Sequence, residues 1–180
     1  MLLDVAKCQL LIVDVQERLL PAMYRPEGVL AGCQLLLRAA AAMAVPIIVS
    51  RQYPRGLGAT VPELAEWVPD GVEMDKVHFS CTGDDALMVK LAGNGRPQVV
   101  IGGIEAHICV MQTALDLAAR DYQPCVVMDA VSSRRPESVE LAQRRLSANG
   151  IEQVSAEMVL FEWLGQAGTP EFKELSVLVK

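Results

Sequence analysis

A thiol, a carboxylate and an ammonium stand at Cys109, Asp14 and Lys76. Together these groups suffice for nucleophilic attack on a carbonyl carbon, followed by hydrolysis of the resulting thioester. The thiolate is the attacking form, and a cysteine at a helix N-terminus feels the positive end of the helix dipole, which favours it. A nearby lysine favours both thiolate and carboxylate. An aspartate within hydrogen-bond reach takes the thiol proton and later returns it to a leaving amine. Backbone N–H groups at the same helix start can hold an oxyanion. The expectation is an activated, thiolate-leaning Cys109.

The elements around these residues alternate between short β-branched runs and amphipathic stretches. Residues 9–15 (QLLIVDV) form a continuous apolar run, suited to a central strand buried on both faces. A helix over 28–44 follows, then a strand over 45–50 with Pro46 near its start, where proline is tolerated. Residues 52–61 are rich in Pro and Gly and read as a long loop. A third strand is expected over 71–77 and a helix over 84–92. The fourth strand covers 98–103 (QVVIGG), followed by a helix over 108–120. A fifth strand lies at 125–128 and a helix at 137–148, ended by Asn149-Gly150. A weak last strand surrounds Val154, and a short helix is expected over 170–180.

This alternation predicts an α/β fold: a three-layer, doubly wound, mainly parallel sheet of about six strands, with helices on both faces. Right-handed crossovers enforce the double winding. The 180 residues suggest a single domain over 1–180. Such sheets bind ligands beyond the carboxyl ends of their strands, where strand order switches. Asp14 closes the first strand, Lys76 lies near the end of the third, and Cys109 comes just after the fourth. One rim of the sheet can therefore gather all three.

Composition narrows the function classes. The chain is 52% hydrophobic and 21% charged, too apolar for disorder, and its apolar runs are too short for a membrane span. No leader-like segment is evident at residues 1–7, which fits a cytoplasmic protein. The net charge of −6 and the 4% aromatic content argue against nucleic-acid binding. Five cysteines, an odd number with no CxxC pair, point to a reducing compartment. The two histidines, His78 and His107, form no cluster with cysteines at ligand spacing, so no metal is expected. The first strand leads into DVQERLL, with no GxGxxG for a dinucleotide. No cofactor is expected.

LLIVDVQ at 10–16, DKVHFS at 75–80 and GGIEAHICV at 102–110 together resemble the aspartate, lysine and nucleophile motifs of the isochorismatase-like (cysteine amidohydrolase) superfamily. RQYPRGLGATVPEL at 51–64 and DAVSSR at 129–134 are similar to the isochorismatase-domain-containing subgroup. The resemblance spans nearly the whole chain. It implies Asp14 as general acid/base, Lys76 as its electrostatic partner and Cys109 as nucleophile. It also implies a non-proline cis peptide at Ile104–Glu105, with the Glu105 N–H beside that of Cys109 at the oxyanion. The substrate implied is a small molecule with an amide-type C–N bond. The nicotinamidase branch carries an Asp-x-His metal motif after its second strand, where this chain reads SRQYPRGLG. Isochorismatases proper lack the nucleophilic cysteine. The resemblance further implies a homo-oligomer, a dimer or larger.

Simpler roles stand beside these. Asp14 can cap a turn, Lys76 can be a solvated charge and Cys109 a packing cysteine. The same packing role suits Cys8, Cys33, Cys125 and, with less ease, Cys81. Gln16 shares a strand face with Asp14 and is either a substrate contact or a local hydrogen-bonding group. Phe79 and Tyr53 are expected to wall the pocket, with core packing or a surface turn as the alternative. His107 either assists protonation or makes a structural hydrogen bond. The apolar tail at 175–179 and Trp67 and Trp163, read as loop residues, are candidates for a subunit interface. The alternative function is a catalytically silent small-molecule-binding or interaction protein of the same fold.

Overall fold

The computed structural model describes residues 1–179. Six parallel strands form one sheet in the order β3-β2-β1-β4-β5-β6. They are β1 (Cys8–Val13), β2 (Ile47–Gln52), β3 (Glu73–Lys76), β4 (Gln98–Ile104), β5 (Gln123–Ser132) and β6 (Glu152–Val154). The chain winds outward from β1 to β3, then returns across the sheet to β4. The switch in strand order therefore falls between β1 and β4, which pair from Cys8↔Gln98 to Val13↔Gly103.

Helices α1 (Pro26–Ala42), α4 (Asp85–Gly93), α5 (Met111–Ala118), α6 (Pro136–Ala148) and α7 (Ala156–Leu164) cover the sheet. Strand alternation sorts the core into two layers. Leu10 and Ile12 of β1 pack with Leu36 and Leu37 of α1 and Leu160 of α7. Leu11 and Val13, one residue out of phase, pack with Leu91 of α4, Leu117 of α5 and Leu146 of α6. All six β1 residues are buried, which explains its unbroken apolar sequence.

Several expected boundaries shift. Strand β5 is ten residues long, because it continues past Met128 to Ser132 after a register shift against β4. The segment expected as plain loop contains a single-turn helix, α2 (Pro54–Leu57), and a second, α3 (Pro62–Ala65), follows it; each is opened by proline. The helix expected from 108 begins instead with a π-helical turn, Ala106–Val110, before α5. The tail forms α8 (Pro170–Leu175) and a 3₁₀ turn, Ser176–Val179, while Lys180 lies outside the described residues. Trp163 is not a loop residue: it is buried on α7, 3% exposed. Trp67 is partly buried and stacks under the Arg38 guanidinium at 4.7 Å. Leu175 is also buried, so Val177 is the exposed part of the tail core.

Gly103 shows why β4 can approach β1 so closely. Its φ is +111°, and a Cβ there would lie 2.1 Å from the Val13 carbonyl oxygen. Only a residue without a side chain lets the β4 end lie against the β1 end, where the site is built. Gly103→Ala is expected to destabilise the chain by about 2–6 kcal/mol, adding backbone strain to overpacking. Denaturant unfolding measures it; a loss below about 1 kcal/mol would show that the strands can separate freely.

Candidate active site

Asp14 follows β1 directly, in a left-handed conformation with φ of 55° that Asp adopts more readily than most residues. This turns its carboxylate back over the sheet rim, where it is fully buried. Its N–H donates to the Ser50 carbonyl at 3.0 Å. The Ser50 hydroxyl donates to Asp14 Oδ1 at 2.7 Å. The Lys76 ammonium donates to Asp14 Oδ2, also at 2.7 Å. Both side chains of this ion pair are wholly inaccessible to water.

Lys76 is the last residue of β3 and is held from several sides. Its Nζ also donates to Gln52 Oε1 at 2.6 Å and to the carbonyls of His78 and Phe79 at 3.1 Å each. Four acceptors surround three N–H bonds, so at least one bond is shared. Burial works against the charge on Lys76. The Asp14 carboxylate outweighs it, aided by the neighbouring thiols, and the pKa lies above that of ordinary lysine. The ammonium is a fixed cation, unsuited to giving up a proton near neutral pH.

Cys109 sits in the π-helical turn after β4, 6% exposed. Burial and then the Asp14 charge push its thiol up to about 12; Lys76 pulls the other way and does not prevail. The three groups thus meet electrostatically, with Cys81 beside them. The expected thiolate is corrected: desolvation overrides both the lysine and the helix start, so the resting sulfur keeps its proton. The peptide bond Ile104–Glu105 is cis.

The other candidates separate. Gln16 is buried, and its amide is spent on the backbone: Nε2 donates to the carbonyls of Gln52 and Gly58, and Oε1 accepts from the Gln52 N–H at 2.7 Å. It pins the loop over the rim rather than presenting itself to a ligand. Tyr53 is 55% exposed and borders a cavity of about 380 Å³ together with Arg55, Lys76, Val77 and Asp84. Phe79 is 57% exposed; its carbonyl holds Lys76 while its ring reaches solvent, outside the lining of that cavity. His107 Nδ1 lies 2.8 Å from the Ser133 hydroxyl, the structural bond that was its simpler role. Glu105 is paired with Arg134 through its Nε at 3.1 Å. A larger cavity, about 420 Å³, lies between α1 and α6 beside Arg25 and Glu140, away from the trio. Among the described residues, no three His, Cys, Asp or Glu side chains are grouped to hold a metal ion.

Sequence reasoning missed Ser50 and Gln52, which complete the surroundings of Asp14 and Lys76. Ser50 ends the apolar run IIVS, and a hydroxyl in so buried a strand was the available signal. Gln52 was hidden in the loop composition.

Fold and site define an α/β protein with a buried Asp–Lys pair facing a cysteine at the switch point of its sheet. The family model described as the isochorismatase domain matches residues 8–158, and the chain belongs to this family. Isochorismatase domain-containing protein 1 of Salmo salar is 35% identical over 93% of the chain, and the chain spans 59% of that protein's length. The secreted isochorismatase effector Isc1 of Phytophthora sojae is 36% identical over 95% of the chain and 83% of its own length. Among solved structures, the MAR1 ribonuclease of Caenorhabditis elegans superposes with a TM-score of 0.92 at 30% identity, covering 99% of this chain and 92% of that one.

A thiol whose pKa is raised by folding holds its proton more tightly in the native state. Its contribution to stability is complete below the ordinary thiol value of 9.0 and is lost as pH rises through the folded value. That value is about 11 for Cys8 and about 12 for Cys33, Cys109 and Cys125. Stability under reducing conditions is therefore expected to fall from pH 9 upward, by at most about 1.4 kcal/mol per thiol per pH unit. Denaturant midpoints equal at pH 8 and pH 10.5 would contradict this.

Proposed function

We propose that the chain is a cofactor-free cysteine hydrolase that cleaves a small amide-type C–N bond through a thioester on Cys109. The observation that carries this reading is the water-excluded Asp14–Lys76 pair beside the Cys109 thiol. Membership of the isochorismatase domain family supports hydrolysis as the reaction class.

The protonated resting thiol decides how the steps run. Asp14 removes the proton as the sulfur attacks the carbonyl carbon, so no free thiolate has to persist in the buried site. The carbonyl oxygen becomes an oxyanion, which the backbone N–H groups of Glu105 and Cys109 would hold. The C–N bond then breaks, and the amine leaves with the proton from Asp14. Water, deprotonated by Asp14, attacks the thioester; the acid departs and the proton returns to sulfur. The net change is amide plus water to acid plus amine. Lys76 keeps Asp14 anionic between steps and moves no proton itself. Tyr53, exposed at the cavity edge beside the rim, would contact the substrate.

The silent-binding reading is favoured by one observation, the near-complete burial of Cys109. Ribonuclease action, which the worm structure's name gives that protein, is not supported by a net charge of −6. Five free cysteines support a reducing, cytoplasmic setting, although the Phytophthora relative is named as secreted. Among the described residues, no helix is long and apolar enough to cross a membrane. Exposed Met158 and Phe161 on α7 and Val177 in the last turn support self-association.

Intact-mass detection across amides, ureas and carbamoyl compounds tests the reaction. An acyl adduct is expected on the wild-type chain and none on Cys109→Ala, which also loses turnover while remaining folded. Asp14→Asn is expected to slow turnover by about 10²–10⁴-fold. An active Cys109→Ala, or a wild type that neither forms an adduct nor turns over any member of the panel, would reject the assignment.

A further inference from the structure

Strand β2 reads as a buried apolar run until Ser50, whose side chain is also fully buried. A hydroxyl taken from water into such a core is tolerated only if its hydrogen bonds are replaced. Here both its donor and its acceptor capacity are used. An ionised carboxylate only accepts, so the Ser50 O–H must point at Asp14 Oδ1, 2.7 Å away. The Ser50 oxygen then accepts, and the Cys81 thiol donates to it at 3.6 Å. Cys81 is itself anchored, its N–H donating to the buried Thr113 hydroxyl at 2.9 Å. The result is a one-way chain from Cys81 through Ser50 to Asp14.

We propose that Ser50 is a positioning residue for Asp14: its hydroxyl, oriented by Cys81, clamps one carboxylate oxygen while Lys76 clamps the other. The inference rests on the reading of Asp14 as the base for Cys109. Register makes the arrangement firm. Ser50 lies opposite Val13 in the β1–β2 ladder, and its carbonyl accepts the Asp14 N–H at 3.0 Å. One residue thus holds both the backbone and the side chain of Asp14. With donors on Oδ1 and Oδ2, the carboxylate cannot swing about its last bond. The charged and titratable groups facing Asp14 are Lys76 from β3, Cys81 from the turn Cys81–Gly83, and Cys109 from the π turn.

The test reads proton removal from Cys109 without needing a substrate. Iodoacetamide alkylation of Cys109 near neutral pH, followed by intact mass, gives a rate that depends on proton removal by the base. In Ser50→Ala that rate is expected to fall roughly tenfold. Ser50→Cys keeps a weaker donor of similar size and should lie between Ser50→Ala and the wild type, a graded rescue that a merely structural loss would not give. It also decides the matter if Ser50→Ala does not fold. Wild-type rates in these variants, with wild-type Cys109 labelled and Asp14→Asn unlabelled, overturn the role of Ser50 alone. A wild type in which Cys109 is never labelled overturns the nucleophile reading and this inference together.

Discussion

Everything at this site depends on one buried ion pair. Asp14 and Lys76 are sealed from water, and neither charge could be carried there alone. Removing one partner from such a pair typically costs about 3–5 kcal/mol, because the other charge is stranded. The surrounding groups show how the pair is made tolerable. Lys76 is met by a side-chain amide and two carbonyls as well as by Asp14, and Asp14 is met by Ser50. Polar satisfaction, rather than attraction alone, keeps these charges inside the fold.

The same burial sets the chemistry of Cys109. A dry environment strengthens every charge interaction, which suits a reaction that develops an oxyanion. It also penalises a standing thiolate more than Lys76 can offset. A site that keeps its thiol neutral until a base removes the proton is consistent with both facts. It also spares the sulfur from reacting while the site is idle, since the thiolate is the reactive form.

The sheet supplies the convergence. The three reactive residues come from positions 14, 76 and 109, and their meeting needs the reversal in strand order between β1 and β4. Gly103 lets the two strand ends touch, and the left-handed turn at Asp14 returns its carboxylate across the rim. The loop after β2 is closed from beneath by Gln16, whose amide binds backbone at Gln52 and Gly58. This loop carries Tyr53 and Arg55 to the cavity edge.

The alternation of apolar runs and helical stretches was enough to determine the layered parallel sheet. Residue types at strand ends, read with the family resemblance, were enough to single out Asp14, Lys76 and Cys109. These features are local or periodic, so a linear sequence carries them. Tertiary structure decided what depends on distance and exclusion of water. Gln16 stood open between a substrate contact and a local hydrogen-bonding group until its amide was seen to be consumed by backbone. Phe79 looked like a pocket wall until its ring faced solvent and its carbonyl held Lys76. Trp163 looked like part of a loop, yet α7 buries it. The resting state of the Cys109 thiol was likewise illegible in the sequence. Lysine and helix start argue for thiolate from residue types alone, while the desolvation that overrules them exists only once the chain has packed around the sulfur.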